Sequence, residues 1–485
     1  MIGQNRSDYQ WLFSNDYTDS LDGFEGSIMD FNSGKLEIRE QNRFLHLDVV
    51  NQNICDEETG ELLFYSNGCT IANREDHVML NGDSLNFNLF YEDWCGADRP
   101  YPLMNGMIIL RKPLSEFEYY AIHQFYNYDQ NFNIICGLNF SLINMNGDSG
   151  LGEVINKNLE LEAGGNVSCG YTTACQSPQG HWWIIQITES FNEYLIYKLT
   201  SDGLEFHHSQ ILGNASIVPS GTGQATFSPN GKYFVWFSPY GEINVLEFDR
   251  NNGTFVSHTN YDFPPNSDFT EFTGSVFFSS NSNLLYVSTD YRLFQLNLLD
   301  SDPELKLISL WDGFVDPLPV TFTSGLLGPD CRIYVIGGAG TKHFGVIHSP
   351  NEIGENCDFR QHENSLVWHK SRGFHPFFPH YRINEDQPCD DTLTPTAQVI
   401  NTNYKTSTFP NPVKDKLNLD FSHPLKKESV FNVYNLDGRP IYSTKLKQRC
   451  ISKQIEITTL SSGMYIWKIQ NGNGIMETGK FFKID

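Results

Sequence analysis

A tight turn that leads into an aromatic and β-branched strand returns at nearly fixed spacing along this chain of 485 residues. The fourth residues of four such turns are 51, 51 and 49 residues apart, namely Gly180, Gly231, Ser282 and Cys331. The copies read "SPQGHWWII", "SPNGKYFVWF", "SSNSNLLYVS" and "GPDCRIYVIG". A period near fifty in an all-β chain is typical of propeller blades, which are four-stranded sheets that bury both faces only by stacking on their neighbours. We therefore predict a β-propeller with WD40-like repetition.

Two looser copies lie upstream, with one turn at Gly60 and another near Phe117. These make six recognisable turns, yet the distance from Trp11 to Arg382 has room for about seven blades. Seven blades are our prediction and six the alternative. We expect the ring to be closed by strands from both ends, "WLFSN" or "GKLEIRE" beside "FFPHYRI".

Charge is distributed unevenly along the sequence. Residues 401–485 hold 13 Lys and Arg against 7 Asp and Glu, whereas residues 1–400 hold 20 against 51. A body this acidic repels nucleic acid phosphates and anionic lipid surfaces, so nucleic acid and membrane surfaces are excluded as its partners. No apolar run is long enough to span a bilayer.

The ten cysteines include no C-x-x-C pair, which argues against a zinc ribbon or a thioredoxin-type site. Their number is compatible with disulfides formed in an oxidising compartment. Free buried thiols explain them equally well, and the pairing cannot be deduced from the sequence.

The composition changes near the end of the propeller region. Residues 384–407 are rich in Asp, Thr, Asn and Pro without a sustained period, which predicts a linker. The propeller is then expected over residues 1–383 and a second domain over 408–485. Six alternating strands with turns at Asp437-Gly438 and Ser462-Gly463 predict that this second domain is a small immunoglobulin-like β-sandwich.

The order of signals in this tail resembles the C-terminal (type A) sorting domain of proteins exported by the type IX secretion system. The segments that carry the resemblance are "FPNPVKDKLNL", "YNLDGRPIY", "LSSGMYIWKI" and "GKFFKID". The resemblance falls on Pro410, Asn411, Pro412, Asp437, Gly438, Leu460, Gly463, Tyr465, Lys480 and Lys483. It implies a sorting signal that an outer-membrane translocon reads and that is usually removed, in a protein that is secreted or held at the cell surface.

Such proteins reach the periplasm through a signal peptide, which the resemblance also implies. The first residues, "MIGQNRSDYQWLF", lack the basic and then apolar pattern of a secretory signal, while "GQNRSDYQW" is similar to a mature N-terminus. We expect a truncated or misassigned start.

A second resemblance covers much of residues 10–383. "ICDEETGELLFYSNGCTIANREDHVMLNGDSL", with "NMNGDSGLGEV" further on, is similar to propeller-like N-terminal regions of large secreted proteins of gliding Gram-negative bacteria. The matching positions in the first segment are Asn73, His77, Met79, Asn81 and Gly82. The resemblance implies no ligand.

Candidate chemistry is sparse. No nucleophile elbow, zinc-protease helix, phosphate-binding loop or full calcium loop is present. Asn144, Asn146, Asp148 and Glu153 are oxygen ligands in a segment that is better explained as an Asn-Gly turn. Six histidines lie within 38 residues, namely His343, His348, His362, His369, His375 and His380. Their spacing favours separate hydrogen-bonded side chains over a metal site or a general base.

Tandem aromatic pairs could in principle stack on sugars, although blade core is the default for Trp182-Trp183, Phe377-Phe378 and Tyr119-Tyr120. We therefore predict no catalytic residue, no metal and no cofactor. The expected function is that of an exported, non-enzymatic propeller, a binding or adhesion scaffold for a glycan or protein. The alternative is a secreted propeller hydrolase or lyase that acts on polysaccharide or protein with paired carboxylates at the channel mouth.

Overall fold

A computed structural model describes residues 4–13, 25–97, 99–162, 165–214, 223–265, 271–338, 340–370, 376–385, 389, 394–400, 406–421, 425, 428–435, 439–471 and 474–484. The chain divides into two compact units. The first comprises Met1–Leu36 and Gln41–Thr396, and the second comprises Glu37–Glu40 and Ala397–Asp485. Strand β27 (Thr394–Ile400) spans the point at which they divide.

Seven antiparallel sheets follow one another along the described residues of the first unit. The first holds β1–β3 (Gln10–Phe13, Ser27–Asp30, Lys35–Glu40), with β27 as its fourth strand beside β3. The second holds β4–β6 (Gln52–Cys55, Leu62–Ser66, Ile71–Asn73). The third holds β7–β10 (Met107–Arg111, Glu118–Tyr128, Ile134–Asn144, Glu153–Glu162) and the fourth β11–β14 (Val167–Gln176, Trp182–Thr188, Glu193–Thr200, Gly203–Ile211).

The fifth sheet holds β15–β18 (Gln224–Phe227, Tyr233–Phe237, Ile243–Asp249, Thr254–Tyr261). The sixth holds β19–β22 (Gly274–Phe278, Leu284–Thr289, Arg292–Asn297, Lys306–Leu310) and the seventh β23–β26 (Ser324–Leu327, Ile333–Ile336, His343–Ile347, Phe359–Ser365). Helical segments are short: α1 (Leu89–Trp94) and the 3-10 turns Cys95–Ala97, Asp148–Gly150 and Gly354–Cys357.

The seven sheets form a closed ring. The first strands of successive sheets contact one another from β1 to β4 and onward through β7, β11, β15, β19 and β23. The ring closes where Trp11 of β1 packs edge-on against Tyr334 of β24, with 5.5 Å between ring centroids. The first unit is therefore a seven-bladed β-propeller, as the fifty-residue period predicts.

In the fourth, fifth and sixth blades, burial decreases from the inner strands to the outer edge. Strands β12, β16 and β20 are buried along their whole length, whereas β14 and β18 alternate or face solvent. The inner strands read "WWIIQIT", "YFVWF" and "LLYVST", mostly large apolar residues, because sheets stacked on both sides leave neither face in solvent.

The predicted turns join the first two strands of their blades. In all four copies the fourth residue donates its backbone N–H to the carbonyl of the first, over 2.7 to 3.1 Å. That fourth residue has a positive φ, between 63° and 87°, at Gly180, Gly231, Ser282 and Cys331. The looser copies have the same feature at Gly60 and Leu114, with φ of 72° and 62°.

The two segments that carry the N-terminal resemblance meet between the second and third blades. Leu80 bridges Glu153, and the side-chain amide of Asn81 donates to the Val154 carbonyl over 2.7 Å. Asn73 is buried and its side-chain oxygen accepts from the backbone N–H of His77. These motif residues therefore have a structural role, because they hold the loop after β6 against β10.

A closing segment, residues 376–385, lies across the inner strands and turns of the propeller. The Tyr381 hydroxyl donates to the Ile109 carbonyl over 2.8 Å, and His380 Nε2 donates to the Phe227 carbonyl over 2.9 Å. Arg382 forms a buried ion pair with Asp8. Just beyond it, Cys389 is disulfide-bonded to Cys331, in the first turn of the seventh blade.

The prediction of a closing strand in this segment is wrong. "WLF" and "KLEIRE" do form strands, β1 and β3, but "FFPHYRI" forms none. Pro379 has no backbone N–H to donate to a ladder. The large side chains of this segment, which include Phe377, Phe378 and Tyr381, are instead buried against several blades.

The second unit contains two facing sheets around one core. One is β28–β29–β32 (Thr406–Phe409, Lys416–Phe421, Ser452–Glu456) and the other is β31–β30–β33–β34 (Pro440–Leu446, Ser429–Tyr434, Gly463–Asn471, Gly474–Lys483). All six predicted strands are present, and β28 is an additional one. The core between the sheets includes Leu417, Phe431 and Trp467, which fits an immunoglobulin-like sandwich. Strands β27 and β28 both begin inside the segment predicted to be a linker.

Candidate functional site

The propeller contains an aromatic pocket of about 460 Å³ between the third and fourth blades. We use this name for the cavity lined by Phe90, Trp94, Pro102, Tyr126, Ile134, Ile135, Cys136, Cys169 and Glu189. These residues come from α1, the end of β8, the start of β9 and β11, and the loop after β12. A cavity of this size can hold a small organic ligand or one end of a larger one.

Three aromatic rings build the wall of the pocket. Phe90 and Trp94 are one helical turn apart on α1, and their rings are nearly parallel, with 6.3 Å between centroids. The Phe90 ring also contacts Tyr126 of β8, with a centroid distance of 5.1 Å. Burial raises the pKa of the Tyr126 phenol to about 12, so this group keeps its proton at neutral pH.

The polar atoms of this wall are largely bonded within the protein. Trp94 Nε1 donates to the Pro100 carbonyl over 2.7 Å. The Tyr126 N–H donates to the Tyr101 hydroxyl over 2.7 Å, and the Tyr126 carbonyl accepts from Asn88 Nδ2 over 2.7 Å. The wall therefore offers a ligand mainly apolar ring surface.

Two asparagines attach α1 to the blade. Asn88 caps the helix, because its side-chain oxygen accepts from the Tyr91 N–H, while its amide reaches β8. Asn86 accepts a 2.6 Å hydrogen bond at Oδ1 from His123 Nδ1, and His123 Nε2 lies 2.9 Å from Ser141 Oγ. His123 is buried, which lowers its pKa to about 3, so the ring is neutral in this network.

Two disulfides hold the pocket together. Cys95 follows α1 directly and is bonded to Cys69 beside the turn between β5 and β6. Cys136 of β9 is bonded to Cys169 of β11, and both of these residues line the pocket. Disulfides are typical of oxidising compartments. Cys55, Cys175, Cys357 and Cys450 are free.

Charged groups are few at the aromatic pocket. Glu189 is the one carboxylate among the lining residues, and it is exposed. The Arg99 guanidinium carbon lies 5.3 Å from the centroid of the Trp94 ring, in a cation–π contact. The charged groups at the lining residues are therefore one carboxylate and one guanidinium, of opposite sign.

The sequence did not predict this pocket. The tandem aromatics considered for sugar stacking are instead all buried in blade interiors or the closing segment: Trp182, Trp183, Tyr119, Tyr120, Phe377 and Phe378. The pocket residues come from separate segments of the chain, among them "FYEDW", "FYNYD" and "IICG", and no spacing in the sequence connects them.

The oxygen-rich segment after β9 forms a turn, as expected. The Gly147 N–H donates to the Asn144 carbonyl over 3.1 Å, and the Asn146 N–H donates to Asn144 Oδ1 over 2.9 Å. In the part of the chain that the structure describes, no group of three or more His, Cys, Asp or Glu side chains is arranged to hold a metal ion.

The described histidines of the last blade region form no metal cluster, although the rings of His343 and His362 both pack on Phe314. His343, His348 and His362 each pair with a different carboxylate, namely Asp316, Glu363 and Asp312. The hydrogen bond from His343 lowers the pKa of Asp316 below its ordinary value. His380 belongs to the closing segment, His369 is partly buried, and His375 lies outside the described residues.

The first group of predicted sorting residues joins the start of the tail to its last strand. Asn411 Oδ1 accepts from the Phe482 N–H over 2.9 Å, and Asn411 Nδ2 donates to the Lys480 carbonyl over 3.4 Å. Pro410 and Pro412 flank Asn411 and are exposed. The next residue, Val413, is fully buried and bridges β34.

The remaining sorting residues support the sandwich core and its edge. The Tyr465 hydroxyl donates to the Ser461 carbonyl over 2.7 Å, and its ring stacks on Phe481. Leu460 packs against the core, Gly463 begins β33, and Lys480 is exposed. Asp437 and Gly438 lie outside the described residues.

Of the two sorting lysines in the last strand, Lys480 is exposed and Lys483 is buried. The Lys483 side chain is only 6% exposed and lies on the same face of the strand as the buried Phe481. Its ammonium donates to the Ile484 carbonyl over 2.7 Å. The alternation of β34 places Phe482 and Ile484 in solvent instead.

Comparison with protein families identifies the tail. Residues 407–483 match the family model described as "Secretion system C-terminal sorting domain". This confirms the resemblance to type IX sorting domains, and the protein is therefore one that is secreted to the cell surface. Among the described residues no helix is long and apolar enough to cross a membrane.

Solved structures provide distant similarities. The extracellular domain of a protein described as a hybrid two component system from B. thetaiotaomicron is 12% identical, with a TM-score of 0.37. The match covers 100% of this chain, which spans 56% of that one. The Cps50 (Swd1) β-propeller domain of Myceliophteria thermophila is 11% identical, with a TM-score of 0.40 and coverage of 69% of this chain and 91% of that one.

A GH43 β-1,3-galactosidase is 12% identical, with a TM-score of 0.31 and coverage of 48% of this chain and 84% of that one. No curated protein matches the chain. At these identities and TM-scores, none of the similarities bears on the chemistry of the aromatic pocket.

Proposed function

We propose that the propeller is a non-enzymatic binding module that takes up an extracellular ligand in the aromatic pocket. The observation that carries this proposal is the composition of the pocket: three aromatic rings and one carboxylate on loops fixed by two disulfides. A concave, mostly apolar site with few polar groups is the usual form of a ligand site. The sorting domain implies interaction with the type IX secretion machinery, which delivers this site to the cell exterior.

The pocket favours binding over hydrolysis. A glycosidase needs two carboxyl groups about 5 to 10 Å apart, one of them acting as acid or base. Glu189 has no second carboxylate beside it among the lining residues. Rigid anchoring by the disulfides favours a preformed binding surface, because little side-chain entropy is lost when a ligand binds.

A secreted hydrolase or lyase is the second candidate, and one observation favours it. Burial raises the pKa of Glu162, and the nearby carboxylates of Glu160 and Glu193 raise it further. A carboxyl group of this kind is a candidate acid. None of the three lines the aromatic pocket, so a hydrolase would use a different part of the third and fourth blades.

The test compares binding with turnover. The secreted protein is incubated with arrayed glycans, peptides and cell-surface extracts, and bound material and released products are both measured. We expect binding without product release, and we expect Ile134→Lys to abolish binding because Ile134 lies at the pocket mouth and is 56% exposed. Product release that Glu162→Gln abolishes and Ile134→Lys preserves would favour the hydrolase.

A further inference from the structure

The aromatic pocket has features that narrow the chemistry of its ligand. We propose that it binds a neutral sugar ring of an extracellular oligosaccharide. This rests on the proposed function, since it names the ligand class of the same pocket.

The wall matches the apolar face of a sugar ring. A hexose in its chair form presents a flat patch of C–H groups on one face and hydroxyl groups around its edge. The partly exposed rings of Trp94 and Tyr126 provide apolar surface for such a patch, the buried Phe90 packs behind them, and the exposed Ile134 adds to this surface. Large rigid aromatic side chains give contact area at low entropic cost.

The polar groups match the edge of the ring. An ionised carboxylate only accepts hydrogen bonds, and sugar hydroxyl groups can donate to it in pairs. Glu189 is exposed at the pocket and can accept two such bonds. The Tyr126 phenol stays protonated at neutral pH and can therefore donate.

Local charge argues for a neutral ligand. The propeller region is strongly acidic, with 20 Lys and Arg against 51 Asp and Glu in residues 1–400, which disfavours polyanionic chains such as polyuronates. A cationic ligand would be repelled by the Arg99 guanidinium, which lies against the Trp94 ring. A neutral sugar avoids both repulsions.

The volume of the pocket, about 460 Å³, lies within the range of about 300 to 1,000 Å³ that small-molecule sites have, so it has room for more than a single small ring. The exposed Ile134 lies where further units of the chain would leave the pocket. We therefore expect an oligosaccharide to bind more tightly than its monosaccharide.

The experiment is isothermal titration of the full-length chain with defined oligosaccharides. The neutral set contains hexamers of β-1,4-glucose, α-1,4-glucose, β-1,4-xylose, β-1,4-mannose, β-1,3-glucose and β-1,3-galactose. The charged set contains oligogalacturonate and a chitosan hexamer. We expect at least one neutral hexamer to bind, and the charged set to bind at least tenfold more weakly.

Three variants locate the binding. Glu189→Gln removes the charge of the acceptor and is expected to weaken binding about tenfold. Ile134→Lys is expected to abolish it by blocking the mouth. Leu310→Lys is the matched control, because Leu310 on β22 is 57% exposed, against 56% for Ile134, and lies on another blade. It should bind like the unaltered protein, and far-UV circular dichroism checks that all three variants fold.

The possible results of these titrations separate a failure of the sugar proposal from a failure of the proposed function. Binding by no neutral hexamer, or neutral binding that Ile134→Lys leaves unchanged, overturns the sugar proposal. If the charged set binds preferentially and Ile134→Lys blocks that binding, the sugar proposal is overturned, but the pocket remains the ligand site. The same conclusion follows if a protein or peptide from the array binds and Ile134→Lys blocks its binding. If nothing at all depends on Ile134, the proposed function itself fails.

Discussion

Single residues in the repeated turns explain why the spacing of about fifty residues can be recognised in the sequence. Each turn needs a positive φ at its fourth position, and glycine or a residue that tolerates it occupies that place, as at Gly180 and Ser282. This requirement is local, so the sequence shows it directly. The aromatic pocket has no such local requirement, because Phe90 and Tyr126 are brought together only by the packing of α1 on β8.

The first prediction tests the conformational requirement at Gly180. Its φ is +87°, and an added Cβ would have no neighbour within 4 Å, so Gly180→Ala introduces backbone strain without a steric clash. We expect a loss of about 1 kcal/mol in the free energy of unfolding. Urea denaturation measures it. Gly96→Ala is the control, since Gly96 is equally open but has no such φ, and it should be neutral. Equal effects would refute the argument.

A second prediction concerns pH and His380. Burial lowers the pKa of this imidazole to about 4 in the native protein, whereas its pKa in the unfolded chain is near 6.5. Between these two pH values the imidazole is neutral in the native protein and protonated in the unfolded chain. Stability should therefore fall as the pH drops from about 6.5 toward 4, by up to about 1.4 kcal/mol per pH unit from this group.

Denaturation of the protein and of His380→Gln over that pH range measures the effect. Glutamine keeps a donor for the Phe227 carbonyl and removes the titration. The variant should show a shallower decline between pH 6.5 and 4. Parallel curves would mean that His380 does not contribute.

At the scale of elements, the closing segment is the part of the fold that sequence reasoning misassigned. The aromatic residues and Ile383 of this segment have the composition of a strand, but Pro379 prevents ladder pairing. The side chains of the segment instead contact different blades. Patterns along the chain predict strands and turns, since these depend on near neighbours. They do not predict which side chains fill the space between blades, since that depends on contacts over hundreds of residues.

A third prediction concerns the anchor of the closing segment. The Cys331–Cys389 disulfide closes a loop with a sequence separation of 58 residues. On a chain-entropy argument, replacing both cysteines by serine should lower the free energy of unfolding by about 4 kcal/mol. Thermal and urea denaturation measure this. Cys450→Ser, which removes a thiol that is free, should change stability by less than about 0.5 kcal/mol. A double variant as stable as the parent would contradict the anchoring role.

At the scale of the whole molecule, the two units have different tasks. The first carries the candidate binding site, and the second carries the sorting domain. The tail was predicted in most detail because its motifs lie in one short stretch and in a fixed order. The ligand of the propeller was not predicted, because its site is assembled from distant residues.

A fourth prediction tests the sorting residues. A reporter with a signal peptide at its start and residues 401–485 at its end should reach the cell surface of a bacterium with a type IX system. Lys480→Glu should retain most of the reporter in the periplasm, because Lys480 is an exposed sorting residue. Lys445→Glu makes the same charge change at an exposed position outside the motif and should be exported normally. Mass spectrometry of the medium and surface fractions gives the readout and shows whether the tail is removed. Equal export of both variants would exclude a role for Lys480.

The closing segment also has a consequence for the order in which the protein can fold. Trp11 and residues 376–385 both complete the ring, and they are more than 360 residues apart in sequence. The last native contacts of the propeller therefore cannot form until nearly the whole first unit has been synthesised. Such long-range contacts slow folding. A chain that is still emerging from the ribosome is therefore an open, incomplete ring, and the ring closes only after its two distant ends have met.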